Sequence, residues 1–223
     1  MNRRAFSASM IAGAAFSLVS TRGTAAISAP VRARNVVLVH GLFADGSCWS
    51  EVIARLQAAG LNVTSVQNPL TTLPEAVASA QRVLDRQDGP TVLVGHSFSG
   101  MIVTEAGMHP MVSALVYVAA RAPDAGEDYA ALAKNFPTPP ASAGILFDGD
   151  EGRLSEAAFL RDFAGDLPEA KAKRSTRRRS RFGKNCYQAK PSTRPGDQSL
   201  VSMLSRPRIV LSIRTWSATW PNG

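Results

Sequence analysis

The residues of this chain best suited to chemistry lie in "TVLVGHSFSG", residues 91–100. A Val-rich apolar run stops abruptly on Gly95-His96-Ser97-Phe98-Ser99, with Gly100 behind it. Such a run fits a strand buried on both faces, and "SGMIVTEAGMHP" after it reads as a helix. A serine in a Gly-x-Ser-x-Gly turn between strand and helix is placed to act as a nucleophile. Small neighbours let the chain reverse sharply, which pushes the serine Oγ out of the sheet, and the helix N-terminus favours developing negative charge. The last glycine of that pattern is here Ser99, which is small but carries a Cβ. Ser97 is the candidate nucleophile.

A second signal is "VVLVHGLFADGSCW", residues 36–49. A loop leaving the end of a strand can aim a backbone N–H at the place where a carbonyl oxygen gains charge. Leu42 (with Phe43 as the alternative) and Phe98, directly after the serine, are the two candidate donors of such an oxyanion hole. Either motif alone is weak. Both in this order, about sixty residues apart on predicted strand ends, reinforce one another.

The elements that must position these groups alternate regularly. "NVVLVHG" reads as a strand and "GSCWSEVIARLQAAG" as a helix, with Trp49, Val52, Ile53 and Leu56 at helical spacing, Ser47 as its N-cap and Gly60 closing it. "LNVTSVQ" is a second strand, "TLPEAVASAQRVLDRQ" a second helix with Pro74 in its first turn, and "VSALVYVAA" a fourth strand. Alternation with short connections predicts an α/β fold, a doubly wound and mostly parallel sheet with helices on its faces. Beyond Ala120 the regularity thins into proline-rich loops and two short amphipathic helices, the pattern of a partial lid over the C-terminal edge of the sheet.

Length and composition fit one globular domain: 223 residues, 45% hydrophobic and 19% charged. The net charge of +8 is unevenly spread. From Lys171 onward 13 Lys or Arg face one acid, Asp197, whereas residues 1–170 hold 12 basic and 16 acidic residues. Residues 1–29 carry Arg3 and Arg4, a modestly apolar stretch and small residues near Ala25 to Ala29. That is the layout of an export signal, with Arg3-Arg4-Ala5-Phe6 similar to a twin-arginine core, and it predicts a periplasmic location and no membrane span. Cys48 and Cys186 make no disulfide framework, and Cys48 reads as a small buried residue. His40, His96 and His109 have unrelated neighbours, so neither a metal site nor a cofactor is expected. The expected partner is a small-molecule substrate, with no specific nucleic acid.

Together, "LVHG" followed by Trp49 and "LVGHSFSG" resemble the α/β-hydrolase superfamily, in particular small exported bacterial members related to plant esterases and hydroxynitrile lyases. The resemblance runs from about residue 34 to residue 170. It implies a serine nucleophile at Ser97, a structural His40 and hydrolysis of a small carboxylic ester or related acyl bond. Gly41, Gly95, His96, Ser99 and Gly100 complete the motifs. The lyase branch is disfavoured, because that resemblance wants a threonine where Leu42 stands.

The superfamily's triad runs serine, acid, histidine along the chain. After Ser97 only His109 remains, and twelve residues of helix put it about 18 Å along the axis. His96 adjoins the serine and should point away from it, so both histidines read as structural. Asp124, after the fourth strand, is the available acid. A serine without a base is a weak nucleophile, which predicts impaired turnover. Residues 171–223 read as an atypical basic tail without regular structure, so the C-terminal strands of the sheet are expected to be missing or altered. A one-nucleotide slip in reading frame near Lys171 explains that tail better than a functional arm does. The competing reading is a non-catalytic protein whose tail binds nucleic acid or an anionic surface.

Overall fold

The computed structural model describes residues 33–176, 181–192 and 209–212, all within the compact unit Val31–Gly223. Residues 1–29, the expected export segment, lie outside the described residues, as does most of the sequence after Ser192. The core is a parallel sheet in the order β2-β1-β3-β4-β8, built from β1 (Asn35–Val39), β2 (Asn62–Val66), β3 (Thr91–His96), β4 (Val112–Val118) and β8 (Ile209–Ser212). Every residue of β1 is buried, as the unbroken apolar run predicts for a central strand.

Alternate side chains feed two separate cores. Val37, Val39 and Leu93 pack with Ala76, Ala80 and Leu84 of α2 (Leu73–Leu84) and with Met101, Ile102 and Val103 of α3 (Ser99–Ala106). Val36, Leu38 and Val94 face the other way, against Trp49 and against Ile53 and Leu56 of α1 (Ser50–Ala58). Helices thus cover both faces, and the sheet is doubly wound as expected. α2 starts as its sequence prescribes: the Thr72 hydroxyl accepts from the Glu75 N–H at 3.3 Å, and Pro74 sits in the first turn. α1 differs. Asp45, not Ser47, caps the preceding 3-10 turn Gly46–Trp49, accepting from the Ser47 N–H at 2.7 Å. That turn faces Trp49 inward and leaves Cys48 exposed, against the expectation of a buried thiol; Cys186 is the buried one, and the two do not pair.

Between β4 and β8 a second layer forms. It contains α4 (Tyr129–Ala133), a three-stranded antiparallel sheet of β5 (Ile145–Asp148), β6 (Glu151–Leu154) and β7 (Phe182–Gly183), and the helices α5 (Glu156–Ala158), α6 (Glu169–Thr176) and α7 (Lys184–Tyr187). α5 runs on into a π-turn, Phe159–Phe163. The β5–β6 hairpin turns on Gly149-Asp150, with Gly149 at φ +57°, a backbone conformation that glycine adopts freely. Its small core of Leu154, Ala158, Phe159, Ala164 and Ala172 touches Phe43 of the loop after β1.

The expectation that residues 171–223 lack regular structure needs correction over part of that length. Phe182 and Cys186 are completely or almost completely buried in the main core, and β8 pairs with β4 in the register Ala114↔Ile209 to Tyr117↔Ser212. Lys171, Lys173, Arg181 and Lys184 form ion pairs with Glu51, Glu169, Glu151 and Asp150. The apolar residues at 182 and 186 have been taken into the core, and much of the basic charge beside them is matched by acids of the fold.

Candidate active site

Ser97 stands directly after β3 with φ +56°, a left-handed backbone that costs a residue with a Cβ about 1–2 kcal/mol. The turn survives because its neighbours leave room for it. A Cβ on Gly95 would meet the Ser99 carbonyl oxygen at 2.6 Å, and one on Gly100 would meet the Arg121 carbonyl oxygen at 1.9 Å. The Ser97 N–H donates to the Val118 carbonyl at 3.2 Å, and the Ser97 carbonyl accepts from the Gly100 N–H at 3.1 Å. Backbone strain held in place by surrounding structure is common at functional sites.

The loop after β1 lies against this turn. A Cβ on Gly41 would sit 3.0 Å from the Ser97 Cβ, so only glycine permits so close an approach. Leu42 and Phe98 are buried, and among the described residues the backbone N–H groups of Leu42, Phe43 and Phe98 find no acceptor. Buried N–H groups are nearly always paired, so free donors clustered beside the half-buried Ser97 fit an oxyanion hole in waiting. The side chain of Phe43 is committed elsewhere, edge to face with Phe163 at 5.8 Å and with Phe182 at 5.6 Å. Phe98 stacks edge-on to Tyr129, whose ring carries the Arg121 guanidinium 4.4 Å from its centroid.

The remaining candidates divide. His40 is buried, and its Nδ1 donates to the Gly41 carbonyl at 3.0 Å. Burial holds its pKa below the ordinary histidine value, so the ring is neutral near pH 7. His96 is held low by burial and then by the proximity of His40, and it lies edge-on to Trp49 with centroids 6.2 Å apart. His109 hydrogen-bonds Asp85 at 3.0 Å through Nε2 and accepts from the Met111 N–H at 3.3 Å. None of the three is hydrogen-bonded to Ser97. Asp124 is exposed in the turn after β4, where its N–H donates to Glu127 at 2.8 Å, and no contact joins it to the site. Among the described residues there is no group of acidic, His or Cys side chains that could hold a metal ion, and no helix long and apolar enough to cross a membrane.

Asn68 was passed over in the sequence. Val66 pairs with Val39 and Val39 with Gly95, so Asn68, Gly41 and Ser97 each stand two residues beyond one row of the sheet. Its side-chain amide is buried, and neither end finds a partner. The available signal was a polar residue directly before Pro69 at the end of a strand. A cavity of about 400 Å³, lined by Arg34, Asn35, Asn62 and Asp88, lies instead at the opposite, N-terminal ends of the strands, remote from Ser97.

A serine on a strained strand-to-helix turn at the carboxyl edge of a parallel sheet, faced by free backbone donors, defines the class. The chain belongs to the alpha/beta hydrolase family, whose model matches residues 36–218. It is similar to a carbendazim hydrolyzing esterase of Nocardioides sp. (strain SG-4G), 28% identical over 126 residues, covering 50% of this chain and 52% of the relative. It is also similar to the esterase PIR7B of Oryza sativa subsp. japonica, 31% identical over 135 residues, covering 52% and 49%. The chain thus spans about half the length of the curated relatives it matches. A solved pyrethroid hydrolase from Sphingobium faniae JZ-2 shares the fold, with a TM-score of 0.60 at 16% identity over 82% of this chain and 89% of that one.

Proposed function

We propose that this chain is a hydrolase of small carboxylic esters or related acyl bonds, with Ser97 as nucleophile and the Leu42 and Phe98 N–H groups as oxyanion donors. The observation that carries this reading is the positive φ of Ser97 against the Gly41 loop, with unpaired N–H groups on both sides. The esterase names of the partial relatives support the ester class. In the reaction the Ser97 oxygen attacks the acyl carbon as its proton passes to water, the carbonyl oxygen gains charge toward the two N–H groups, and the acyl C–O bond breaks to release the alkoxide, which takes up a proton as the alcohol. Water then releases the acid from the acyl-enzyme.

The step these residues serve poorly is removal of the Ser97 proton, because His40, His96 and His109 are held elsewhere. Loss of a triad base lowers kcat on the order of a millionfold, so slow turnover follows for the 223 residues as they stand. We retain the reading-frame slip as the origin of this gap. The irregular basic sequence from Lys171 onward is what supports it, and the nucleotide sequence around codon 171 tests it. A single undisturbed frame through codon 223, with no continuation in the alternative frame, overturns that view. Export through residues 1–29 to the periplasm belongs to the same proposal; signal cleavage seen by mass spectrometry of the secreted fraction tests it.

A chromogenic short-chain ester assay tests the activity. Slow release above background that Ser97→Ala abolishes supports the proposal; release unchanged by that substitution overturns it.

A further inference from the structure

Ser99 occupies the position where the nucleophile turn ordinarily has glycine. It is fully buried, and its hydroxyl donates to the backbone carbonyl of His40, on the loop after β1. A glycine there could make no such bond. The contact joins the two halves of the candidate site, one carrying Ser97 and Phe98, the other Gly41 and Leu42.

The consequence follows from peptide geometry. In a planar trans peptide the C=O and the N–H of the next residue point in opposite directions, so fixing one aims the other. The Ser99 hydroxyl holds the His40 carbonyl and thereby aims the Gly41 N–H. The His40 ring then holds the Gly41 carbonyl at 3.0 Å and thereby aims the Leu42 N–H. A carbonyl only accepts, so His40 Nδ1 carries the proton in this contact. The Ala44 N–H also reaches the Gly41 carbonyl, at 3.4 Å. Two successive peptides are therefore oriented from buried side chains, and the first anchor in the series is Ser99.

We infer that Ser99 is a positioning residue: its hydroxyl ties the Ser97 turn to the loop after β1 and sets the direction of the Leu42 N–H. This rests on the reading of Ser97 as nucleophile and Leu42 as donor. The hydroxyl contacts no substrate in this role; it acts only through the loop.

Two measurements on the full chain test it, using Ser99→Ala, Ser99→Gly and Ser99→Thr. The first is amide hydrogen exchange of residues 40–44. The Ala and Gly variants should exchange faster there, with β1 unchanged, and Thr should restore protection. Exchange that is unchanged, or that rises equally throughout the fold, overturns the inference. The second is the second-order rate of Ser97 labelling by an alkyl fluorophosphonate. There the Ser97 oxygen bonds phosphorus and its proton passes to solvent, the phosphoryl oxygen gains charge beside the N–H groups in the transition state, and fluoride departs as the P=O is restored. At a temperature where every variant is folded, loss of the tether should slow labelling about tenfold to a hundredfold. A labelled wild type with an equal rate in Ser99→Ala overturns the inference alone. A wild type never labelled at Ser97 overturns the nucleophile reading, and with it the catalytic purpose given to the tether.

Discussion

Phe43 and Phe182 meet edge to face, with ring centroids 5.6 Å apart. The loop that carries the candidate oxyanion donors is thus fastened to a strand far along the chain, in sequence that reads as an irregular tail. Phe182 is 1% exposed, and the Gly152 Cα lies so close that an added Cβ would stand 2.3 Å from its ring. Phe182→Ala should therefore cost about 3–5 kcal/mol, as other buried aromatic truncations do. Urea unfolding measures it. A loss below about 1 kcal/mol would mean that β7 is not part of the cooperative fold.

Ser97 stores backbone strain. Ser97→Gly and Ser97→Ala both remove the hydroxyl, but only glycine relaxes at φ +56°. The glycine variant should be more stable than the alanine variant by about 1 kcal/mol, read as a higher midpoint in denaturant. Equal midpoints would show that the turn is unstrained in solution.

Gly41→Ala brings a methyl within 3.0 Å of the Ser97 Cβ and 3.3 Å of His96 Nδ1. Fluorophosphonate labelling of Ser97 should slow by at least about tenfold, since displacements near 1 Å at a reacting centre are costly. Tm should fall as well, because the His96 carbonyl oxygen, 3.2 Å from the added methyl, is a backbone atom.

Gly100→Ala sets a helical gain against a collision. Alanine is favoured over glycine by about 1 kcal/mol inside a helix. The added Cβ, however, would lie 1.9 Å from the Arg121 carbonyl oxygen, a backbone atom that cannot rotate away. Overpacking of this kind costs about 1–3 kcal/mol or more, so the variant should be less stable. Gly89→Ala, with nothing within 4 Å, is the control and should leave stability nearly unchanged.

Acid should weaken the fold through its buried histidines. Burial lowers the pKa of His40, and lowers that of His96 together with the nearby His40. Unfolded histidine takes up a proton near pH 6.5, while the folded rings resist until lower pH. Their contribution is complete above about pH 6.5 and is lost as pH falls toward the depressed folded values. Thermal melts from pH 8 to pH 5 should show Tm dropping over that window, and His96→Asn should flatten part of the slope.

The central sheet was legible because its signals are local. β1 and β3 are apolar runs ended by glycine, and Pro74 in its first turn marks the start of α2. The candidate site residues Ser97, Leu42 and Phe98 stand out in the sequence for the same local reason. The role of Ser99 was not, because its partner His40 is distant in sequence and the bond exists only once β1 and β3 pair. The β5–β6 hairpin turns on Gly149-Asp150, a short glycine signal hidden among prolines and charges. Phe182 and Cys186 were missed because the dense basic residues around them suggested solvent, although several of those charges are matched across the fold.

β8 lies parallel to β4, with Ser212 opposite Tyr117, while His96 stands beside Val118. All three strands therefore finish at one rim, the rim on which Ser97 is mounted. For a protein engineer that makes position 212 an address. A segment bearing an acid and a histidine, grafted immediately after it, would start on the rim that carries Ser97 and need only a short return loop to bring a proton acceptor within reach of the serine.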